Sequence, residues 1–160
     1  MNRVAQLLLS TVLCVALAGC SATPPRRYED VKNEALAALQ TVADLIPEPK
    51  TVRPRPEQEP YGCNDPLLGM NKDGAFFTGY WEVDVSEQVD IRHFIAGVRD
   101  SLGDGWRTEP QLIEVSFPQA NLIQEATGVS VTIEESDRDG RKGIDLLAIS
   151  RCGIEEQPTP

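Results

Sequence analysis

Hydrophobic positions change their period along this chain, and each change predicts an element. From Arg26 to Ile46, residues Tyr28, Val31, Ala35, Leu39, Val42 and Ile46 recur at steps of three and four, the spacing that lines one face of a helix. Ala35, Ala37, Ala38 and Ala43 add helix propensity. Asp30 and Glu34 place negative charge near its start, and Pro47 stops it. From Pro47 to Pro60 the periodicity disappears; Pro47, Pro49, Pro54, Pro56 and Pro60 favour an extended strap or semi-rigid spacer. Phe76 to Val85 is aromatic and β-branched and predicts a strand. Alternation sets Phe77, Gly79 and Trp81 on one face and Phe76, Thr78 and Tyr80 on the other. Ser86 then caps a helix lasting to Leu102, whose apolar face is Ile91, Phe94, Ile95, Val98 and Leu102. Gly103-Asp104-Gly105 ends it. Trp106 to Glu109 and Leu112 to Phe117 are short strands separated by Pro110. Val129, Val131 and Ile133 alternate with Ser130, Thr132 and Glu134. Asp137-Arg138-Asp139-Gly140 makes a turn, and Ile144 to Ser150 returns as the second arm of a hairpin.

These elements imply an α+β fold: a small antiparallel sheet with two helices packed on it. The chain divides into a signal peptide at 1–19, a tether at 20–25, a helix at 26–46 packed on the domain, the Pro-rich strap at 47–60, the α+β domain at 61–153 and a disordered tail at 154–160. With 160 residues in the precursor, one small domain is the upper bound.

The first segment carries the most specific signal. Arg3 gives a short positive start, and Leu7 to Ala18 is an apolar run interrupted by Ser10 and Thr11. That run is shorter than the ~20 apolar residues a spanning helix needs and matches a signal core. It ends in Leu17-Ala18-Gly19-Cys20, which resembles the lipobox of bacterial lipoproteins. The resemblance implies that the Cys20 thiol receives a diacylglycerol, that cleavage makes Cys20 the first residue, and that a membrane is a partner through the lipid. Two or more acyl chains give stable anchoring where one is marginal. The expected location is the extracytoplasmic face of the cell membrane. Cys14 leaves with the signal. Cys63 and Cys152 then remain in an oxidising compartment, where two leftover thiols most simply pair as a disulfide. Redox pairs usually sit close together, as in C-x-x-C, and these do not.

The formal net charge of −10 becomes one unit more negative when Arg3 is removed with the signal. A field of that sign repels phosphate backbones, so no nucleic acid is expected as a partner. Catalytic parts are scarce. His93 is the only histidine and lies in the second helix without a poised nucleophile, and no serine sits in G-x-S-x-G. Asp137-Arg138-Asp139-Gly140 begins like a calcium loop, but its glycine arrives early, Arg141 and Lys142 follow, and no closing glutamate stands at the end. No metal and no cofactor are expected. Glu82 and Asp84 share a strand face and keep a carboxylate-pair hydrolase conceivable, because such pairs are spatial.

The order of parts carries a wider resemblance: the lipobox, the Ala-rich helix ending in Ile46-Pro47, Cys63, the aromatic strand, the helix segment Arg92-His93-Phe94-Ile95-Ala96-Gly97-Val98-Arg99, Trp106, and a last strand ending in Cys152-Gly153. This pattern resembles the LppA-like lipoproteins of mycobacteria and related actinobacteria. It implies a compact α+β domain with one disulfide and transfers no catalytic residue. The functional expectation is a membrane-anchored, non-enzymatic binding or interaction module. Both faces of the aromatic strand carry rings, so Tyr80, Trp81 and Trp106 are the candidate interaction surface for a protein or apolar partner. The alternatives are a carrier or chaperone of an apolar ligand and a wall-polymer hydrolase.

Overall fold

The computed structural model describes residues 26–64, 73–111 and 113–154. The signal peptide, Cys20, the tether and the tail beyond Ile154 lie outside the described residues. The elements run α1 (Tyr28–Leu45), β1 (Lys50–Pro54), β2 (Tyr61–Gly62), β3 (Ala75–Phe76), β4 (Thr78–Val85), α2 (Ile91–Leu102), β5 (Trp106–Thr108), β6 (Gln119–Gln124), β7 (Ser130–Arg138) and β8 (Arg141–Ile149). Six strands form one antiparallel sheet in the order β1-β4-β8-β7-β6-β5, and β2 pairs with β3 in a separate ribbon. The fold is α+β, with two helices among the described residues, a mostly antiparallel sheet and the Cys63–Cys152 disulfide.

Both helices cover the same face of the sheet, α1 over β4 and β8 and α2 over β5, β6 and β7. The period-two strands explain why only one face is covered. Trp81 and Val83 of β4, Ile144, Leu146 and Ala148 of β8, Val131 and Ile133 of β7, and Leu122 of β6 all point inward. There they meet Val42 and Leu39 of α1 and Ile95 and Val98 of α2 in one core. Gly79 lets α1 sit close to β4, since a Cβ there would lie 2.8 Å from Leu39 Cδ1. The β7–β8 turn is built from Asp139 and Gly140, with φ of 55° and 78°. That backbone suits the right-handed twist of a two-residue hairpin.

Three expectations need correction. The strap does not remain a spacer: Lys50–Pro54 is an edge strand paired with β4. Pro54 ends it, and an edge tolerates the missing N–H. Lys50 Nζ also donates to the Ile46 carbonyl at 2.7 Å, capping the end of α1. The second helix starts at Ile91 rather than after Ser86, because Asp90 is the cap, accepting from the His93 N–H at 2.9 Å. Residues 113–117 form no strand; β6 begins beyond Pro118. The strand at Gln119–Gln124 has a weak sequence signal because Gln119, Asn121 and Gln124 supply none of the β-branched or aromatic enrichment of strands, although Ala120 and Leu122 face inward.

Candidate functional site

Among the described residues, no element covers the face of the sheet opposite the helices, and the residues on that face follow from the register. Across the middle, Arg53, Glu82, Asp145, Glu134 and Gln119 stand side by side on β1, β4, β8, β7 and β6. The next row, toward the start of β4, is Tyr80, Leu147, Thr132 and Asn121. Beyond it come Thr78, Ile149, Ser130 and Ile123. One half of the face is thus ionic and the other is mixed apolar and hydroxyl.

The ionic half is a network centred on Asp145, which is only 8% exposed. Its Oδ1 accepts from Ser136 Oγ at 3.0 Å and from Arg138 Nη1, and its Oδ2 accepts from the Tyr80 hydroxyl. Arg138 also lies 3.8 Å from Glu82 and 3.8 Å from Asp84. Arg55 Nε donates to Glu82 at 2.6 Å, and Arg53 pairs with Asp84. Arg55 additionally lies over the Tyr80 ring, 5.1 Å from its centroid, where the ring quadrupole attracts a cation.

The electrostatic consequences have separate causes. The Arg55 guanidinium holds Glu82 below the usual carboxylate range. Tyr80 is pushed up to about 12, first by burial and then by donating to the Asp145 carboxylate. Glu134 is raised, first by burial and then by the neighbouring Asp145 charge; Gln119 Nε2 donates to it at 3.3 Å. Glu82, Asp84 and Asp145 therefore direct their oxygens at arginines, while Glu134 meets an amide and a like charge.

A surface groove of about 550 Å³ runs between the segment after β1 and the sheet, lined by Arg55, Pro56, Gln58, Thr78, Tyr80 and Leu147. Thr78 Oγ1 is buried there and finds no hydrogen-bond partner among the described residues. At the ionic end, the β5–β6 loop exposes Ile113 at 78% and Phe117 at 42%. The Glu135 N–H donates to the Pro118 carbonyl at 3.0 Å and pins that loop beside the network.

The sequence expectations fare unevenly at this site. Tyr80 lies half-buried on the open face. Trp81 and Trp106 do not reach it: they are 9% and 5% exposed, pack in the core, and cannot form an interaction surface. For Trp81 the reason is strand parity. Tyr80 faces out, so its neighbour faces the helices. Cys63 and Cys152 are bonded, with Cα atoms 6.2 Å apart. His93 is exposed on α2, at the rim of a second groove of about 400 Å³ shared with Pro47 and Phe94. Glu82 and Asp84 do share the outer face. Sequence reasoning missed Asp145 and Arg138 as its centre. The signal was present, since Asp145 interrupts an otherwise apolar strand between Ile144 and Leu146. Ile113 and Phe117 were missed because they were assigned to a strand.

Among the described residues, no three His, Cys, Asp or Glu side chains are arranged to hold a metal ion, and no helix is long and apolar enough to cross a membrane. No family model, curated protein or solved structure matches the chain.

Proposed function

We propose that the protein is an envelope binding module, held to the membrane by a lipid on Cys20 and meeting its partner with the open face of the sheet and the adjoining β5–β6 loop. The observation that carries this reading is the pairing of exposed apolar anchors, Ile113 and Phe117, with a fixed polar surface beside them. Interfaces concentrate their energy in a few apolar or aromatic anchors surrounded by a polar rim. The network supplies such a rim with little freedom to lose on binding. Asp145 is held from three sides, and Arg138 is shared among three carboxylates. The anchor reading rests on Leu17-Ala18-Gly19-Cys20 and the apolar run before it.

Two experiments test the reading. Cys20→Ser should leave an unprocessed precursor without acyl chains; an acylated, processed Cys20→Ser protein rejects the anchor. Ile113→Ala combined with Phe117→Ala should abolish partner recovery from native envelopes while leaving the thermal unfolding profile unchanged. Full recovery by that double variant rejects the face.

One observation favours a second reading, a wall-polymer hydrolase. Glu134 has its pKa raised, first by burial and then by the Asp145 charge beside it, and a carboxyl group raised in this way can serve as the acid of a carboxylate pair. Hydrolysis of isolated wall polymer by the purified protein, lost in Glu134→Gln, would establish this reading in place of the first.

A further inference from the structure

The end of the molecule where α1 starts is a second small sheet assembled from four separate stretches. The Tyr28 N–H donates to the Ile154 carbonyl at 2.9 Å, and the Ile154 N–H donates to the Arg26 carbonyl at 2.8 Å. On its other side this C-terminal stretch exchanges bonds with β3: Gly153 N–H to the Ala75 carbonyl at 2.8 Å, and Ala75 N–H to the Gly153 carbonyl at 2.9 Å. β3 in turn pairs with β2. The Cys63–Cys152 disulfide locks the outer stretch to the C-terminal one. Gly153 is required at the centre, since a Cβ would lie 2.7 Å from Tyr28 Cα. Large apolar side chains remain exposed here: Tyr61 at 48%, stacked on Phe76 with ring centroids 5.5 Å apart, and Ile154 at 40%.

We infer that this end is the membrane-facing surface of the domain, with Tyr61, Phe76 and Ile154 seated at the lipid–water interface. The inference rests on the acylation of Cys20 proposed above. Its occupant follows from the length of chain leading to the ladder. Five residues separate Cys20 from Arg26, and an extended chain spans at most ~3.3–3.6 Å per residue, so the lipid attachment lies within about 20 Å of Arg26. Arg26 is itself hydrogen-bonded into the ladder. The β7–β8 turn, with Asp137 and Asp139, lies at the other end of the sheet, beyond the 18 residues of α1. That helix alone spans about 27 Å. A lipid tether therefore brings the Tyr61 end to the bilayer first and keeps the acidic turn away from anionic headgroups. Tyrosine favours the headgroup level, where its ring is shielded and its hydroxyl stays wet. Ile113 and Phe117 sit at the opposite end, turned toward whatever approaches from the wall side.

The test uses the mature lipidated protein in vesicles of phosphatidylcholine and phosphatidylglycerol in equal parts, with and without brominated acyl chains. Tyr61→Trp and, separately, Ile154→Trp report this end, and Ile113→Trp reports the far one. The parent's signal from the buried Trp81 and Trp106 is subtracted. Bromolipid should quench the reporters at 61 and 154 at least about twofold more than the one at 113, as interfacial depth requires. Equal quenching at all three positions, in protein whose Cys20 is acylated by mass spectrometry, overturns the orientation and leaves the anchor intact. Unacylated Cys20 in the same preparation overturns both. Using two reporters at this end keeps the result readable if one variant fails to fold.

Discussion

Asp145 holds the open face together, and its removal should be costly in a way that identifies the partner responsible. Asp145→Ala leaves the Arg138 guanidinium, Tyr80 hydroxyl and Ser136 hydroxyl without their shared acceptor. Breaking a buried pair by deleting one member typically costs ~3–5 kcal/mol. The Arg138 and Asp145 side chains are 23% and 11% exposed, and Arg138 keeps Glu82 and Asp84 at 3.8 Å. Partial hydration and those remaining carboxylates reduce the expected loss to about 2–4 kcal/mol. Urea unfolding followed by tryptophan fluorescence measures it, since Trp81 and Trp106 are both buried and report core exposure. The discriminating variant is the double change Asp145→Leu with Arg138→Met. If an orphaned charge is the cause, the double variant should recover most of the loss. A loss below ~0.5 kcal/mol in Asp145→Ala, a typical surface effect, would refute the reasoning. So would a double variant as unstable as the sum of the single changes.

Replacing both Cys63 and Cys152 with Ser opens a loop of sequence separation 89, so the urea midpoint should fall by the equivalent of up to ~4–5 kcal/mol; an unchanged midpoint removes the bridge from the stability argument. Glu134 has its folded pKa raised by burial and by Asp145, so the folded state binds its proton more tightly than the unfolded chain does. Stability is then lost as pH rises through the ordinary carboxylate range toward the folded value. Glu134→Gln should therefore be more stable than the parent at neutral pH, with the gap closing toward pH ~4, near the unperturbed carboxylate value; a gap that widens on acidification has the wrong sign. Tyr80, raised to about 12, favours the unfolded state as pH climbs from its ordinary value near 10 toward that number, and Tyr80→Phe should flatten the alkaline loss seen in ultraviolet-monitored titration.

Period and parity in the sequence were enough for the elements that bury one face. The stripe from Tyr28 to Ile46, the alternation of β7 and the answering strand β8 all lie where their apolar spacing put them, because core burial fixes register. Failures fell where burial is weak. β1 is an edge strand with one inward apolar residue, Val52, and its prolines spoke louder than its pairing. β6 buries Leu122 fully, but Gln119, Asn121 and Gln124 surround it and the apolar Ile123 faces outward, so no apolar alternation stands out. At the site, strand parity makes Tyr80 outward only jointly with an inward Trp81, so the two cannot share one surface. Asp145 and Arg138 come together because the β7–β8 register puts both on the outward face, where the Arg138 side chain reaches back along the hairpin to Asp145; that contact depends on the turn at Asp139 and Gly140.

Site-specific photocrosslinking in intact envelopes addresses the binding-module claim most directly. A photoreactive residue placed at 113 or 117 should give a discrete adduct, and one placed at His93, exposed on the helix-covered side, should give none. Adducts from position 93 with none from 113 or 117 would contradict the assignment of the open sheet face and its loop as the partner surface.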